Sequence, residues 1–487
     1  MTFKELLGLV SSGSAPHIRV DSRLVKAGDI FVAIEGTTYN GRDFIDQAIA
    51  NGVKYIVCQQ RKPCCETLKT NCEIITVDDS AKAAAILAQA SRGNPASKLI
   101  NLAVTGTNGK TTVAFLVKSV IQNAGEKCGL IGTIIYDTGA ATYPASLTTP
   151  DSLEIADKQQ QMLRAGAKYM VIEASSHSLS QDRLAGINFK AAAFTNLTGD
   201  HLDYHKTEEN YLAAKMRLFE GLSADSTAVL NKDSPHSTKI ALKTKARILW
   251  YAIDAKAQLN AHIESMDMTG TVSVLEYAGL KQKVATSLLG RHNVSNLLAA
   301  AGLCLGCGFG LDAIAAGLSK AKTVPGRLEP VDCGQNFSVL IDYAHTDDAL
   351  KNVLSTLKPL CKGKLTVVFG CGGDRDRTKR PRMARVVEQL ADFVIVTSDN
   401  PRTEAPETII GEIFTGFEKP TADKITHEVD RKKAIKLAIE NASADDIVLI
   451  AGKGHETYQI IGKQKFDFDD KTVVKEYLER RIRDGEL

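Results

Sequence analysis

The stretch Val104-Thr-Gly-Thr-Asn-Gly-Lys-Thr-Thr112 constrains this chain more than any other. An apolar run over residues 99–104 leads into it, and a run of helical character over 113–124 follows. That is the strand–loop–helix setting of a phosphate-binding loop. Gly106, Thr107, Asn108 and Gly109 are small enough for backbone N–H groups to approach a polyphosphate. The helix start adds positive potential, Lys110 adds a point charge, and the hydroxyl of Thr111 or Thr112 suits magnesium. The spacing is the short Gly-x-x-Gly-Lys-Thr form, because the first glycine of the longer P-loop would fall on Val104. A glycine-rich turn capping a structural helix is the plain alternative; the combined features favour ATP.

At 487 residues the chain exceeds one hydrophobic core, and about three domains are expected. A net charge of +3 gives no global field for nucleic acid or a membrane surface. Residues 1–10 lack the apolar core of a signal peptide, so a cytoplasmic location is expected. The nearest approach to a membrane span, residues 297–318, carries Asp312 and several glycines and reads as two buried helices around a turn. The ten cysteines show no four-ligand grouping, and free thiols are expected.

Strand-like and helix-like segments alternate throughout. The fold class expected is α/β: a small α/β N-terminal domain over 1–97, a central P-loop domain with a mostly parallel sheet over 98–325, and a C-terminal Rossmann-like domain over 326–487. Residues 91–98 read as a linker, and Val324-Pro-Gly326 as the second junction.

Further chemistry-bearing residues sit at strand ends, where α/β sheets place ligands. Glu173 ends one apolar run and enters Ala174-Ser175-Ser176-His177, and Asp200-His201 follows another. A carboxylate and an imidazole there suit magnesium held against phosphates, although Asp and Ser are also ordinary turn residues. Lys215 lies in a helical stretch; taken alone it is expected at the surface, since lysine is seldom buried. In the last block, the segments around Arg375, Asp399-Asn400-Pro401-Arg402 and Gly452-Lys-Gly-His-Glu456 each follow a strand and suggest a pocket for an acidic, zwitterionic ligand.

With these residues in view, the chain resembles the Mur ligases, ATP-dependent amide-forming enzymes of peptidoglycan synthesis, over nearly its whole length. It is most similar to the branch that adds the third peptide residue. The resemblance implies that residues 106–112 bind ATP with Asn293, Arg327, Asp342 and His345. It implies magnesium at Thr111, Glu173, His201 and Lys215, with Lys215 carbamylated, and catalytic roles for Lys110, Glu173, His201 and Lys215. Val20, Ser22, Thr37, Thr38 and Tyr39, with Thr148, Thr149, Ser175, Gln181 and Arg183, match the contacts to a UDP-muramoyl-dipeptide. Arg375, Asp399, Asn400, Pro401, Arg402, Gly452 and Glu456 match an amino-acid pocket. Leu147 stands where some relatives carry Asn.

The implied reaction joins meso-diaminopimelate to the D-glutamate of UDP-MurNAc-L-Ala-D-Glu through an acyl phosphate, in a monomer needing neither nucleic acid nor membrane. L-lysine in place of diaminopimelate is the near alternative. A folylpolyglutamate-type ligase is more remote, because Asp21-Ser22-Arg23 and the Asp399–Arg402 motif argue against it. A nucleotide-dependent switch is the alternative outside enzymes.

Overall fold

The computed structural model describes residues 1–13, 16–36, 39–59 and 72–485. Among the described residues the strands form three main sheets and one hairpin. The first sheet is parallel and runs in chain order: Ile18–Arg19, Ile30–Ala33, Tyr55–Gln59, Glu73–Val77. Its second strand is buried at every position, as a strand covered on both faces requires.

The second sheet has 11 strands. Its parallel centre places Ile100–Thr105 between Phe189–Phe194 and Tyr169–Glu173. Alternation along Ile100–Thr105 sends Leu102 and Val104 to one face and Ala103 to the other. The first face packs on helices Lys110–Asn123, Arg291–Gly306 and Leu311–Ser319 through Val113, Leu297 and Ile314. The second packs on Ser152–Arg164 and Glu208–Glu220 through Ile155 and Leu218. Residues 297–318 thus fall in two buried helices, as their glycines suggested.

The third sheet has six strands, parallel but for one short edge pair, with Ser338–Asp342, Ile447–Ala451, Leu365–Phe369 and Phe393–Val396 as neighbours. The carboxyl ends of these four carry the loops singled out above.

Two features add detail that the sequence reading lacked. The central sheet carries antiparallel extensions, Leu259–Asp267, Gly270–Tyr277 and Leu280–Thr286 at one edge and Ile135–Asp137 with Thr142–Pro144 at the other. Within residues 91–98, read as a linker, Pro95 and Ala96 are buried, Gln89 accepts from the Ala96 amide, and Asn101 donates to the Ala96 carbonyl. Buried, hydrogen-bonded backbone of this kind resists motion.

The described cysteines are free thiols; Cys64 and Cys65 lie outside the described residues. No described helix is long and apolar enough to cross a membrane.

Candidate active site

The phosphate loop turns between strand Ile100–Thr105 and helix Lys110–Asn123. Gly106 (φ 149°) and Gly109 (φ 89°) hold conformations that favour glycine, and a side chain at either would strike Thr195 or Asn296. The loop is braced by the next strand: Asn196 Oδ1 accepts from the Asn108 amide at 2.9 Å, and Thr195 Oγ1 donates to the Asn108 carbonyl at 2.6 Å. Lys110 Nζ donates to the carbonyls of Gly106 (3.0 Å) and Thr107 (2.7 Å), which folds it over the loop.

The helix start opens into a cavity of about 280 Å3. Lys110, Thr111 and Glu173 line it from the central unit, as do Thr148, His201 and Asn293; Arg327, Asp342 and His345 line it from the C-terminal unit. Arg327 Nη2 donates to Thr111 Oγ1 at 3.3 Å, and its guanidinium lies 4.8 Å from the Tyr343 ring centre. Asp342 accepts from the amides of Leu328 and Ala344, each at 2.7 Å, which fixes both segments beside the cavity. Burial raises its carboxyl, and Arg327 opposes that rise. Burial pushes the imidazole of His345 down to about 4, so it is neutral near pH 7.

Glu173 is fully buried. Its oxygens accept from Thr111 Oγ1 (2.9 Å), Thr133 Oγ1 (2.9 Å) and the Thr133 amide (2.8 Å), and no described cation pairs with it. Thr133, which sequence reasoning missed, follows strand Cys128–Ile131, so its place at a strand end was the available signal. His201 adopts φ 56° and sets Nε2 3.4 Å from Asp200 Oδ2. Burial lowers its pKa to about 4 against the pull of Asp200.

Lys215 is not at the surface. Helix Glu208–Glu220 points it inward with 1% exposure, where Nζ donates to the Gly106 carbonyl at 2.8 Å and lies 4.3 Å from the Tyr211 ring centre. No described carboxylate pairs with it. Burial, followed by the charge of Lys110, holds its pKa well below the ordinary lysine value.

No group of three His, Cys, Asp or Glu converges among the described residues. Magnesium does not need one, because it is held by one or two carboxylates with substrate phosphates and water. A buried carboxylate without a cation, beside the Thr111 hydroxyl and a phosphate loop, is a donor set that fits it.

Beside Glu173 a second group assembles. Thr148 Oγ1 lies 3.1 Å from Thr133 Oγ1. Thr149 Oγ1 donates to the Glu173 carbonyl at 2.6 Å and lies 3.1 Å from Ser175 Oγ. Arg183 donates to Thr149 O (2.7 Å) and to Gln181 Oε1 (2.6 and 3.0 Å). Val20, Ser22 and Tyr39 belong to the first unit, and none lines the cavity. Ser22 Oγ donates to Gln47 Oε1 at 2.6 Å, and Tyr39 is 73% exposed. Thr37 and Thr38 lie outside the described residues.

The third group spans three strand ends of the C-terminal sheet. Asn400 Nδ2 donates to Glu456 Oε2 at 2.8 Å. Arg402 (φ 52°) donates from Nη1 to the Gly373 carbonyl at 2.8 Å. Its backbone is clamped by the hairpin Tyr458–Ile461/Gln464–Asp467: the Arg402 amide donates to Ile460 O (3.0 Å) and the Gly462 amide to Arg402 O (2.7 Å). A side chain at Gly452 (φ 112°) would meet Asp399 Oδ2 at 2.6 Å. Pro401 is buried within this segment, and Arg375 is exposed at the group's rim.

A protein of Geobacillus kaustophilus (strain HTA426) named UDP-N-acetylmuramoyl-L-alanyl-D-glutamate–2,6-diaminopimelate ligase is 43% identical over 481 residues, 97% of each chain. The chain belongs to the Mur ligase family. The Mur ligase middle domain matches residues 104–304, the Mur ligase glutamate ligase domain matches 326–454, and the Mur ligase family catalytic domain matches 16–92. A Clostridium tetani (strain Massachusetts / E88) relative of the same name is 43% identical over 465 residues, 95% of this chain and 94% of its own. A solved ligase of that name, 34% identical, superposes with a TM-score of 0.67 over 96% of this chain and 95% of its own. The Thermotoga maritima MurF ligase, solved in complex with ADP, shares the fold at 19% identity and a TM-score of 0.63, over 97% of this chain and 99% of its own. This Mur ligase places its buried Glu173 and Lys215 beside the phosphate loop, with which the middle-domain match begins.

Proposed function

We propose that this chain is an ATP-dependent, ADP-forming ligase that joins meso-diaminopimelate to the D-glutamate of UDP-N-acetylmuramoyl-L-alanyl-D-glutamate in the cytoplasm, as a monomer. The match to a ligase of that name across 97% of both chains carries this reading. The three residue groups described above support it. In this reading residues 1–97 hold the UDP-sugar, 98–325 hold ATP and 326–487 hold the amino acid.

Phosphoryl transfer is mostly positioning and charge neutralisation. The loop amides and Lys110 grip the β- and γ-phosphates, and Lys110 must leave the carbonyls of Gly106 and Thr107 to do so. Arg327 and Asn293 bind the nucleotide from the opposite wall. Thr111 and Glu173, with His201 and Lys215, would hold magnesium; when bound, it neutralises phosphate charge. Lys215 is set up for carbamylation: burial and the charge of Lys110 favour its neutral amine, whose lone pair adds to carbon dioxide with loss of one proton. The product is an oxygen donor on a lysine stem.

Thr148, Thr149, Ser175 and Arg183 orient the dipeptide so that the glutamate carboxylate attacks the γ-phosphorus and ADP leaves. Asp399, Asn400, Arg402 and Glu456 orient the amino acid. Its neutral amine attacks the acyl carbon, phosphate leaves, and the proton shed by the nitrogen departs with the phosphate. Arg402 and Arg375 offer planar donors to the distal carboxylate of diaminopimelate.

Phosphate release tests the proposal. It should require ATP, UDP-muramoyl-dipeptide and diaminopimelate together, with a tripeptide product of matching mass. Release with ATP alone would make the chain a switch, and equal product from L-lysine would move the substrate to the alternative.

A further inference from the structure

Lys453 is fully buried in the C-terminal unit, and the proposed mechanism gives it no task. Its Nζ lies 3.1 Å from Glu456 Oε2 and 3.4 Å from Asn400 Oδ1, and 5.5 Å from the Tyr458 ring centre. Asn400 closes the triangle, since its Nδ2 donates to the same Glu456 Oε2 at 2.8 Å. Asn400 Oδ1 also accepts from the Ile460 amide at 2.9 Å. That pattern fixes the amide of Asn400: turned over, it would set its N–H groups against two donors and its oxygen against a carboxylate. Two donors saturate Glu456 Oε2, while no described donor reaches Oε1. Glu456 keeps 15% side-chain exposure, so the carboxylate is held at one oxygen and open at the other.

We propose that Lys453 is a positioning residue for the amine substrate: it locks Glu456 and Asn400 in one arrangement that presents Glu456 Oε1 to a ligand ammonium. The role rests on the reading of this loop cluster as the amino-acid pocket. Lysine is suited to it. As a compact cation it sits behind the carboxylate and offsets its charge, so that the pocket does not bury an unpaired anion when empty. A buried lysine is costly unless paired, and its two side-chain partners here are both residues of the proposed pocket.

The test is steady-state kinetics of Lys453→Met with each substrate varied in turn. Methionine fills the space and leaves Asn400 and Glu456 without the ammonium. The KM for diaminopimelate should rise at least about 30-fold, while the KM values for ATP and UDP-muramoyl-dipeptide stay within about 2-fold. In a double-mutant cycle, Glu456→Gln should cost much less in the Lys453→Met background than alone. A fall in kcat with all three KM values unchanged, or additive losses in the cycle, would overturn the proposal and leave Lys453 structural. If Lys453→Met does not fold, Lys453→Gln keeps a donor and should show the same KM split, smaller in size; failure of both to fold would also overturn it. The wild type is assayed first against a panel of amino acids. Acceptance of L-lysine alone would sink the diaminopimelate reading, yet the KM split would then be read with L-lysine. Acceptance of no amino acid would sink both.

Discussion

Asn108 of the phosphate loop donates from Nδ2 to Asp348 Oδ2, 2.8 Å away, across the boundary between the central and C-terminal units. Asp348 lies in the first turn of helix Asp347–Leu357; burial raises its carboxyl, and the hydrogen bond from Asn108 opposes that rise. The loop that would grip phosphates is thus tied directly to the unit that would supply the amine. Arg327 makes a second tie, to Thr111.

The first prediction concerns that tie. A hydrogen bond to a charged group contributes about 1.5 kcal/mol, roughly a tenfold shift between open and closed arrangements. Asn108→Ala should therefore enlarge the radius of gyration in solution scattering without nucleotide, with little change in thermal unfolding. An unchanged scattering profile would mean that Arg327 and apolar packing hold the units alone. The wild type should compact further with substrates and a non-hydrolysable ATP analogue, because reacting atoms must come within about 3–3.5 Å.

The second concerns Lys215. Lys215→Ala should be nearly inactive while keeping its fold. Short-chain carboxylates should restore part of the rate by supplying the missing oxygens in the space the side chain leaves. Full activity of the variant, or no rescue by any carboxylate with the fold intact, would argue that Lys215 only braces the Gly106 carbonyl.

Why some of this was legible in the sequence and some was not follows from the range of the interactions. Strand Tyr169–Glu173 is buried at every position, so it shows as a short apolar run with sharp ends. The phosphate loop announces itself because its chemistry lies in consecutive residues. Strand Gly270–Tyr277 alternates buried and half-buried positions, but its buried side chains include Thr271 and Ser273 while Val272 and Val274 are only half-buried, so its apolar pattern does not mark the inward face. The burial of Lys215 was not legible: its acceptor, Gly106, is 109 residues away, and only the pairing of distant strands brings them together. The same holds for Asn108 and Asp348, 240 residues apart. Residues 91–98 look like a linker because they are polar, and the buried backbone of Ala96 among them is tied by hydrogen bonds to Gln89 and Asn101, contacts made by side chains outside the segment.

The third prediction concerns acid. Arg380, fully buried, forms paired hydrogen bonds with Glu404 (2.9 and 3.0 Å), and Glu404 also accepts from the Asp374 amide at 2.7 Å. This joins the loop bearing Arg375 to the loop bearing Arg402. The Arg380 bonds, first, then the Asp374 amide, hold the Glu404 carboxyl down at about 2, below its ordinary 4.5. A depressed carboxyl stabilises the fold above its unfolded pKa, and the contribution fades as pH falls from 4.5 through about 2. The stability gap between wild type and Glu404→Gln, from urea unfolding, should therefore be constant near pH 6–7 and shrink below pH 4.5. A gap independent of pH would show that the pair contributes geometry rather than charge.

The last prediction is the choice of amino acid. meso-Diaminopimelate and L-lysine differ by one carboxylate at the far end of the side chain. Arg402 spends Nη1 on the Gly373 carbonyl, and no described acceptor pairs with its Nε or Nη2. Its left-handed backbone is held by Ile460 and Gly462, so the guanidinium is aimed before any ligand arrives. A planar fork of this kind binds a carboxylate well and repels an ammonium without one. Charged groups left unpaired in a site are strongly rejected, so kcat/KM should favour meso-diaminopimelate over L-lysine by about 10⁴. Arg402→Ala should lose most activity with diaminopimelate and gain little on lysine, because Arg375 stays at the rim and the truncation creates no acceptor for a distal ammonium. Arg402→Lys should rescue only weakly, since a point charge cannot replace two parallel donors. Comparable wild-type kcat/KM for the two amino acids would leave Arg402 as a turn residue held by the hairpin for structural reasons alone.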